Sequence, residues 1–392
     1  MSETGACAPK QRLDLQRHLF DIPETVTYLN CANMSPQLRT VSDAGMAAVQ
    51  HKAAPWTLRP EQWFAPAERL RALFAAVVNA DADGIALVPS VSYGITLAAA
   101  NLQVSRGQSI VLLEGEFPSN VYAWQELARR RGAVIRTVKR EATGTWTDSV
   151  LDAIRSDTAV VSVPNCHWTD GRLVDLARVA PAARSAGAAL VVDASQSAGA
   201  YPLDVSVIQP DFLVTVGYKW LLGPYGLGYL YAAPRWRTSG APLEHSWLTR
   251  AGAEDFTRLT EYSDTYRDGA RRFDMGEFPQ FVLSAMAVAA LEQLLAWGVD
   301  RIQATTAALT WRAERGAAES GATALPQRDR VGHLIGIRPR SGVRTSLLAA
   351  LSAAKIYVSV RGDAMRVAPH VYNTEADILR LLAILHGDAD RL

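Results

Sequence analysis

Three cysteines in 392 residues, Cys7, Cys31 and Cys166, are too few and too irregularly spaced for a disulfide framework or a CxxC zinc site. A reducing cytoplasm is the natural home for such a chain. His167 beside Cys166 does not add a metal site, because adjacent side chains do not converge on one ion. Net charge is nearly absent: 40 basic residues oppose 39 acidic ones, for a total of +1. That balance leaves no electrostatic footprint for nucleic acid or an anionic membrane. Long apolar runs are also missing, so no stretch reaches the ~20 residues of a membrane span. The opening "MSETGACAPKQRLDLQRHLF" has no basic start followed by an apolar stretch, so a secretory signal is not expected. There is no internal repeat and no low-complexity tract. "VPSVSYG", after the first strand of the sheet anticipated below, is not a glycine-rich phosphate loop, which argues against a nucleotide-dependent doubly wound enzyme.

Lysine is the remaining scarcity. Only five of the 40 basic residues are lysines: Lys10, Lys52, Lys139, Lys219 and Lys355. Lys219 stands in "TVGYKWLLGPYGLGYLY", with no acid within seven residues on either side. A buried, unpaired ammonium is costly and tends to shed its proton, and a neutral amine in a dry pocket is a nucleophile. Taken alone, the stretch equally allows a stem packed on Trp220 with its head in water.

The chain is long enough for two domains. Apolar segments alternate with alanine-rich helical ones: "GIALVPS", "QSIVLLEG", "AVIRTV", "TAVVSVPN", "AALVVDASQS" and "PDFLVTVGYKW". "GLGYLYAAP" is a strand turning back. Strands this apolar are covered on both faces, which predicts an α/β fold with a mainly parallel sheet flanked by helices. From residue 281 the pattern changes to a smaller α+β domain, so we divide the chain into 1–25, a segment packing on the small domain, 26–280 and 281–392.

Ligands of such sheets bind beyond the carboxyl ends of the strands. After "GIALV" come Ser90, Val91 and Ser92, opening a helix whose amides suit an anion, though a serine cap alone looks the same. After "SIVLLEG" comes Phe117, a ring for stacking or simply for the core. After "AALVV" come Asp193 and, three residues on, Gln196. After "FLVTVG" come Tyr218 and Lys219. Anion seat, stacking ring, buried carboxylate and dry lysine, in that order, are what pyridoxal phosphate requires: a phosphate site, a ring face, a partner for the pyridine nitrogen and a Schiff-base amine.

The segment "VVDASQSAGAYPLDVSVIQPDFLVTVGYKWLLGPYGLGYLY" resembles the class V aminotransferase family of fold-type I pyridoxal-phosphate enzymes, which includes cysteine desulfurases, kynureninases and isopenicillin N epimerase. The resemblance runs in order from "YLNCANMSP" to "MRVAPHVYNT", nearly the whole chain. Its most specific part is the Asp-x-x-Gln with a lysine 26 positions after the aspartate. It implies that Lys219 holds the cofactor and acts as the base at Cα, and that Asp193 faces the pyridine nitrogen. Gln196 would lie near the phenolic oxygen. Ser92, Thr215 and Tyr218 match phosphate positions, Phe117 the stacking position and Arg366 the arginine that grips a substrate carboxylate. It also implies a homodimer and an amino-acid substrate, with Asn33, Trp168 and Trp56 near the side-chain pocket.

The pattern departs from its relatives in places. Desulfurases carry a nucleophilic cysteine on a loop before the C-terminal arginine motif; here "IYVSVRGDAMRVAP" runs nearly straight from strand to strand, and no cysteine follows Cys166. The Phe-Pro-Thr-Asp of kynureninases appears as Phe117-Pro118-Ser119-Asn120. Glu277 stands where a threonine is usual near the partner's phosphate, with Arg272 a candidate to offset it. Cys31 is either a reactive thiol or a small packing residue. The expected chemistry is therefore that of an aminotransferase, with a Cβ–S or Cβ–Cγ lyase, an epimerase and a catalytically silent cofactor-binding protein as alternatives.

Overall fold

Runs such as "IALV", "SIVLL" and "FLVTV" contain no charged residue, and a strand without a polar face must be covered on both sides. The computed structural model describes residues 11–139 and 144–389; Cys7, Lys10 and the rest of the first ten residues lie outside the described residues. In chain order its strands are β1 (Thr27–Tyr28), β2 (Ile85–Val88), β3 (Ser109–Leu113), β4 (Val134–Val138), β5 (Thr158–Pro164), β6 (Ala189–Asp193), β7 (Phe212–Val216), β8 (Gly228–Ala232), β9 (Thr323–Ala324), β10 (Ile335–Arg338), β11 (Ile356–Tyr357), β12 (Ser359–Arg361) and β13 (Ala364–Val367).

Seven strands form one sheet in the order β2-β8-β7-β6-β5-β3-β4. The neighbours from β4 to β7 are parallel. β8 is antiparallel to both β7 and β2, so β2 runs with β7 and only β8 turns back. Side chains alternate between faces with period two. Val192 and Leu213 enter one core while Val191, Phe212 and Val214 enter the other. Burying each such side chain stabilises the fold by about 1.5–3 kcal/mol. The parallel arrangement collects the ends of β2, β3, β5, β6 and β7 at one edge, where the ligand-bearing loops emerge.

Three helices set the frame: α1 (Arg39–Lys52), α2 (Glu61–Val78) and α3 (Val91–Asn101). Arg71 of α2 is fully buried and forks onto Asp274, with Nη1 at 3.0 Å from Oδ1, while Leu87 N of β2 donates to the same carboxylate at 2.8 Å. This pair ties α2 to β2 and to the segment that follows β8. Helix Phe281–Trp297 packs Ala287, Ala290, Leu291 and Leu294 into the core that also holds Val41 of α1 and Leu70 and Phe74 of α2.

A second sheet, β12-β13-β10-β9, is antiparallel and carries its own core. β1 pairs in parallel with β11, and Leu13 N donates to Thr305 Oγ1 at 2.8 Å, so the N-terminal segment reaches this part of the chain. The stretch expected to pass from strand to strand without a loop does so through a tight hairpin. Arg361 pairs with Ala364 across the two-residue turn Gly362–Asp363, and Gly362 takes a φ of +59°, which glycine adopts without strain.

Candidate active site

β2 ends at Val88, and Ser90 takes an extended conformation that caps α3, accepting from Tyr93 N at 3.1 Å. Ser90 and Ser92 share a hydrogen bond of 2.9 Å. Beside this helix start lies a cavity of about 250 Å³, lined by Val91, Ser92, Glu116, Phe117, Asp193 and Lys219 among others. Strands far apart in sequence thus bring together five of the anticipated residues. Tyr218, Gln196 and Trp168 line the same space.

Lys219 is 8% exposed. Its Nζ stands 5.4 Å from the centre of the Phe117 ring and 5.8 Å from that of Tyr218. Burial lowers its pKa to about 8; Arg366 and Arg361 push in the same direction, while Asp193 and Cys31 oppose. Asp193, the last residue of β6, accepts from Ser195 N at 2.9 Å through Oδ1. Burial raises its pKa, against the pull of Ser195 and Lys219. The snorkelling alternative for Lys219 therefore fails: its amine is enclosed beside a carboxyl.

Phe117 presents its ring to the cavity and meets Trp168 edge-on, centroids 5.4 Å apart. Trp168 is held by its Nε1 donating to Gly115 O at 2.8 Å. Gln196 is committed at both ends: Nε2 donates to Ala32 O at 3.0 Å and Oε1 accepts from Trp220 Nε1 at 2.8 Å. The second hydrogen of its amide and the second lone pair of its oxygen are left for a ligand. Tyr218 packs against Tyr225, centroids 4.5 Å apart.

Other expected residues stand elsewhere. Thr215 does not line the cavity; it is buried within β7 and its hydroxyl donates to Val216 O at 3.3 Å. Arg366 lies behind Trp168, where Nη1 donates to the Trp168 carbonyl at 2.8 Å and Nη2 to Ser359 Oγ at 3.3 Å. It is 1% exposed, its Nε has no partner among the described residues, and burial with Arg361 nearby pulls its pKa down to about 10. Asn33 is exposed and accepts from Arg361 Nη2 at 3.3 Å. Trp56, expected near the substrate, is 83% exposed on a surface turn and does not line the cavity. Within the single chain Glu277 is exposed, and Arg272 donates to Thr238 O and Gly240 O, both at 2.9 Å. Cys31 is fully buried, its Sγ facing Lys219 O at 3.9 Å, and burial raises its thiol pKa well above the usual range; it is a packing residue.

Two residues were missed. Glu116 is buried in the cavity wall, and Arg361 places its guanidinium 5.7 Å from the Trp168 ring. A strand-end acid in "LLEGEFPSN" was the available signal for the first; the second had none beyond its nearness to Arg366 in sequence.

These features fit pyridoxal phosphate. The hydroxyls of Ser90 and Ser92 and the amides of the first turn of α3 face one end of the cavity. Asp193 and Lys219, both buried, line the same cavity, with the Lys219 amine over the ring of Phe117.

Comparison with known proteins agrees. Residues 28–381 match the model of the aminotransferase class-V family. An uncharacterised aminotransferase of Bacillus subtilis, YcbU, is 29% identical over 372 residues, covering 92% of this chain and 94% of that protein. The kynureninase of Deinococcus radiodurans is 30% identical, over 74% and 70% of the two chains. In fold, a cysteine desulfurase from Thermococcus onnurineus superimposes with a TM-score of 0.84 at 20% identity, covering 97% of this chain and all of that one. A mutant of C-DES carrying glycine covalently linked to its pyridoxal phosphate cofactor gives 0.83 at 23% identity, over 94% and 98%. The chain belongs to the class V aminotransferase family and is an enzyme that depends on pyridoxal phosphate.

Proposed function

We propose that this enzyme is an aminotransferase acting on an α-amino acid, with Lys219 as its catalytic base. The observation that carries this reading is the buried Lys219 amine, at the end of β7 beside Asp193, in a cavity whose one cysteine, Cys166, is buried and pushed to high pKa by burial. Bound at this place, the cofactor supplies an aldehyde for amines and a ring that delocalises negative charge. Ser90, Ser92 and the N-terminus of α3 would bind its phosphate, with Tyr218 alongside. Asp193 would keep a proton on the pyridine nitrogen through the oxygen not bonded to Ser195. Phe117 would cover one face of the ring and keep water from it.

Lys219 Nζ, whose pKa burial lowers to about 8, removes the Cα proton of the substrate and can return it elsewhere. Arg366 meets the substrate carboxylate with N–H donors it does not use on Trp168 and Ser359. The two-residue turn between β12 and β13 leaves no loop to carry a thiol, and no cysteine follows Cys166, which favours transamination over desulfuration. In this reading 26–280 is the cofactor-binding unit, 281–392 the smaller unit bearing Arg366 and 1–25 the segment that packs on it. The assembly is a homodimer, checked by light scattering.

The deciding experiment incubates the protein with a panel of amino acids, with and without a 2-oxo acid. Transamination requires the oxo acid and yields its amino counterpart. Pyruvate and ammonia without an acceptor would replace it by β-elimination, and Cα inversion in heavy water by epimerisation.

A further inference from the structure

The cavity holds a second carboxyl that the proposed chemistry does not use. Glu116, three residues beyond β3, is 8% exposed and lines the same space as Asp193 and Lys219. Its Oε1 accepts the Phe117 amide hydrogen at 2.6 Å, while Oε2 is buried with no hydrogen-bond partner among the described residues. Around it stand Asp193 from the end of β6, the Cys166 thiol after β5 and Asn120 from the turn after Phe117. Asn120 is fixed by its own partners, since its Oδ1 accepts from Ser162 Oγ at 2.7 Å and from Trp124 Nε1 at 3.1 Å. Glu116 forms no ion pair among the described residues. Two carboxylates in one dry cavity cannot both be balanced by a single lysine. Asp193 has the favourable interaction with Lys219; at Glu116 burial and the like charge of Asp193 raise the pKa to about 8 against the pull of the Phe117 amide and Asn120.

We propose that Glu116 is a positioning residue of the cofactor cavity: it remains an uncharged acid so that Asp193 is the one negative side chain facing the pyridine ring, and it fixes the stacking ring of Phe117 through the backbone amide. This rests on the assignment of the cavity to pyridoxal phosphate. Ionisation of Glu116 would place a second negative charge beside Asp193 and alter the proton balance of the ring.

The variants Glu116→Gln and Glu116→Ala separate the two duties. Glutamine keeps an acceptor for the Phe117 amide but cannot ionise; alanine loses both. Infrared difference spectra of the wild type against Glu116→Gln should show a protonated carboxyl band below neutral pH that disappears with a half-point near 8. The visible spectrum of the bound cofactor in Glu116→Gln should match the wild type in acid. Its alkaline transition should be lost or displaced by at least about half a pH unit. In Glu116→Ala the spectrum should differ at every pH, and the cofactor should bind about five- to tenfold more weakly, the worth of one hydrogen bond.

Superimposable cofactor spectra for the wild type and Glu116→Gln across the titration would overturn the role, as would the absence of the carboxyl band. A protein that stays colourless while keeping that band would sink the cofactor assignment and the role with it, leaving only the uncharged acid.

Discussion

If burial rather than a specific partner lowers the pKa of Lys219, its reactivity should follow its own titration and nothing else. With the pKa lowered from 10.5 to about 8, roughly a tenth of the amine is neutral at pH 7, against about 3 parts in 10,000 for a free lysine, a gain of about 300-fold. A less basic amine is also a weaker nucleophile. With a Brønsted slope of about 0.4–0.5, borrowed from thiols, that shift removes about 10- to 18-fold, leaving a net advantage of about 16- to 30-fold. Reductive methylation by formaldehyde and cyanoborohydride reports this directly, because the probe is small and has no ionisable group. The apo protein is labelled over a range of pH, digested and quantified by mass spectrometry against a lysine reference peptide. Labelling of Lys219 should reach half its plateau near pH 8. Since Asp193 favours the charged amine and Arg366 disfavours it, Asp193→Asn should lower that midpoint and Arg366→Gln should raise it. A Lys219 midpoint coinciding with that of the reference peptide, or shifts of the opposite sign in the two variants, would refute the reasoning.

Three further outcomes are expected. Arg366→Ala should raise the KM for amino acids about 10- to 150-fold, the worth of a hydrogen bond to a charged group, while the cofactor spectrum without substrate stays unchanged. Arg71→Met leaves fully buried Asp274 without its cation and should cost about 3–5 kcal/mol in urea unfolding; Arg71→Met with Asp274→Leu should recover most of it. For Glu116 in the apo protein, the folded value of about 8 lies above the ordinary 4.5. The folded state thus keeps a proton that the unfolded state releases, and stability falls as pH rises through that window. Glu116→Gln lacks this loss, so its stability relative to the wild type should climb by about 3 kcal/mol between acid and neutral pH; a constant difference would contradict the burial of Glu116.

Much of the fold was legible because uncharged, β-branched runs leave a strand few alternatives, and the same runs pointed to the residues after them. Lys219 and Asp193 were visible for that reason: each is a charge at the edge of an apolar run. Glu116 was not, because "EGEFPSN" holds two acids and only the packed structure buries one of them in the cavity. Thr215 was misplaced at the phosphate because spacing does not reveal which face of β7 a side chain takes; it shares the face of Leu213 and bonds its own strand. The direct strand-to-strand passage read here is made by a two-residue turn at Gly362–Asp363, which a glycine followed by an aspartate signals. Arg361 was hidden by the abundance of arginine in this chain.

Gln196 has a mechanical consequence. Its side chain grips Ala32 and Trp220, and its own carbonyl accepts from His333 Nε2 at 2.6 Å, which joins the segment after β1, the loop beyond β7 and the approach to β10 at a single residue. Burial lowers the pKa of His333 to about 3, so that link does not loosen with mild acid. A swing of the smaller sheet away from the larger one would have to rupture this rivet first. The exposed side chains of Phe117 and Tyr225, which also line the cavity, can rotate without rupturing it.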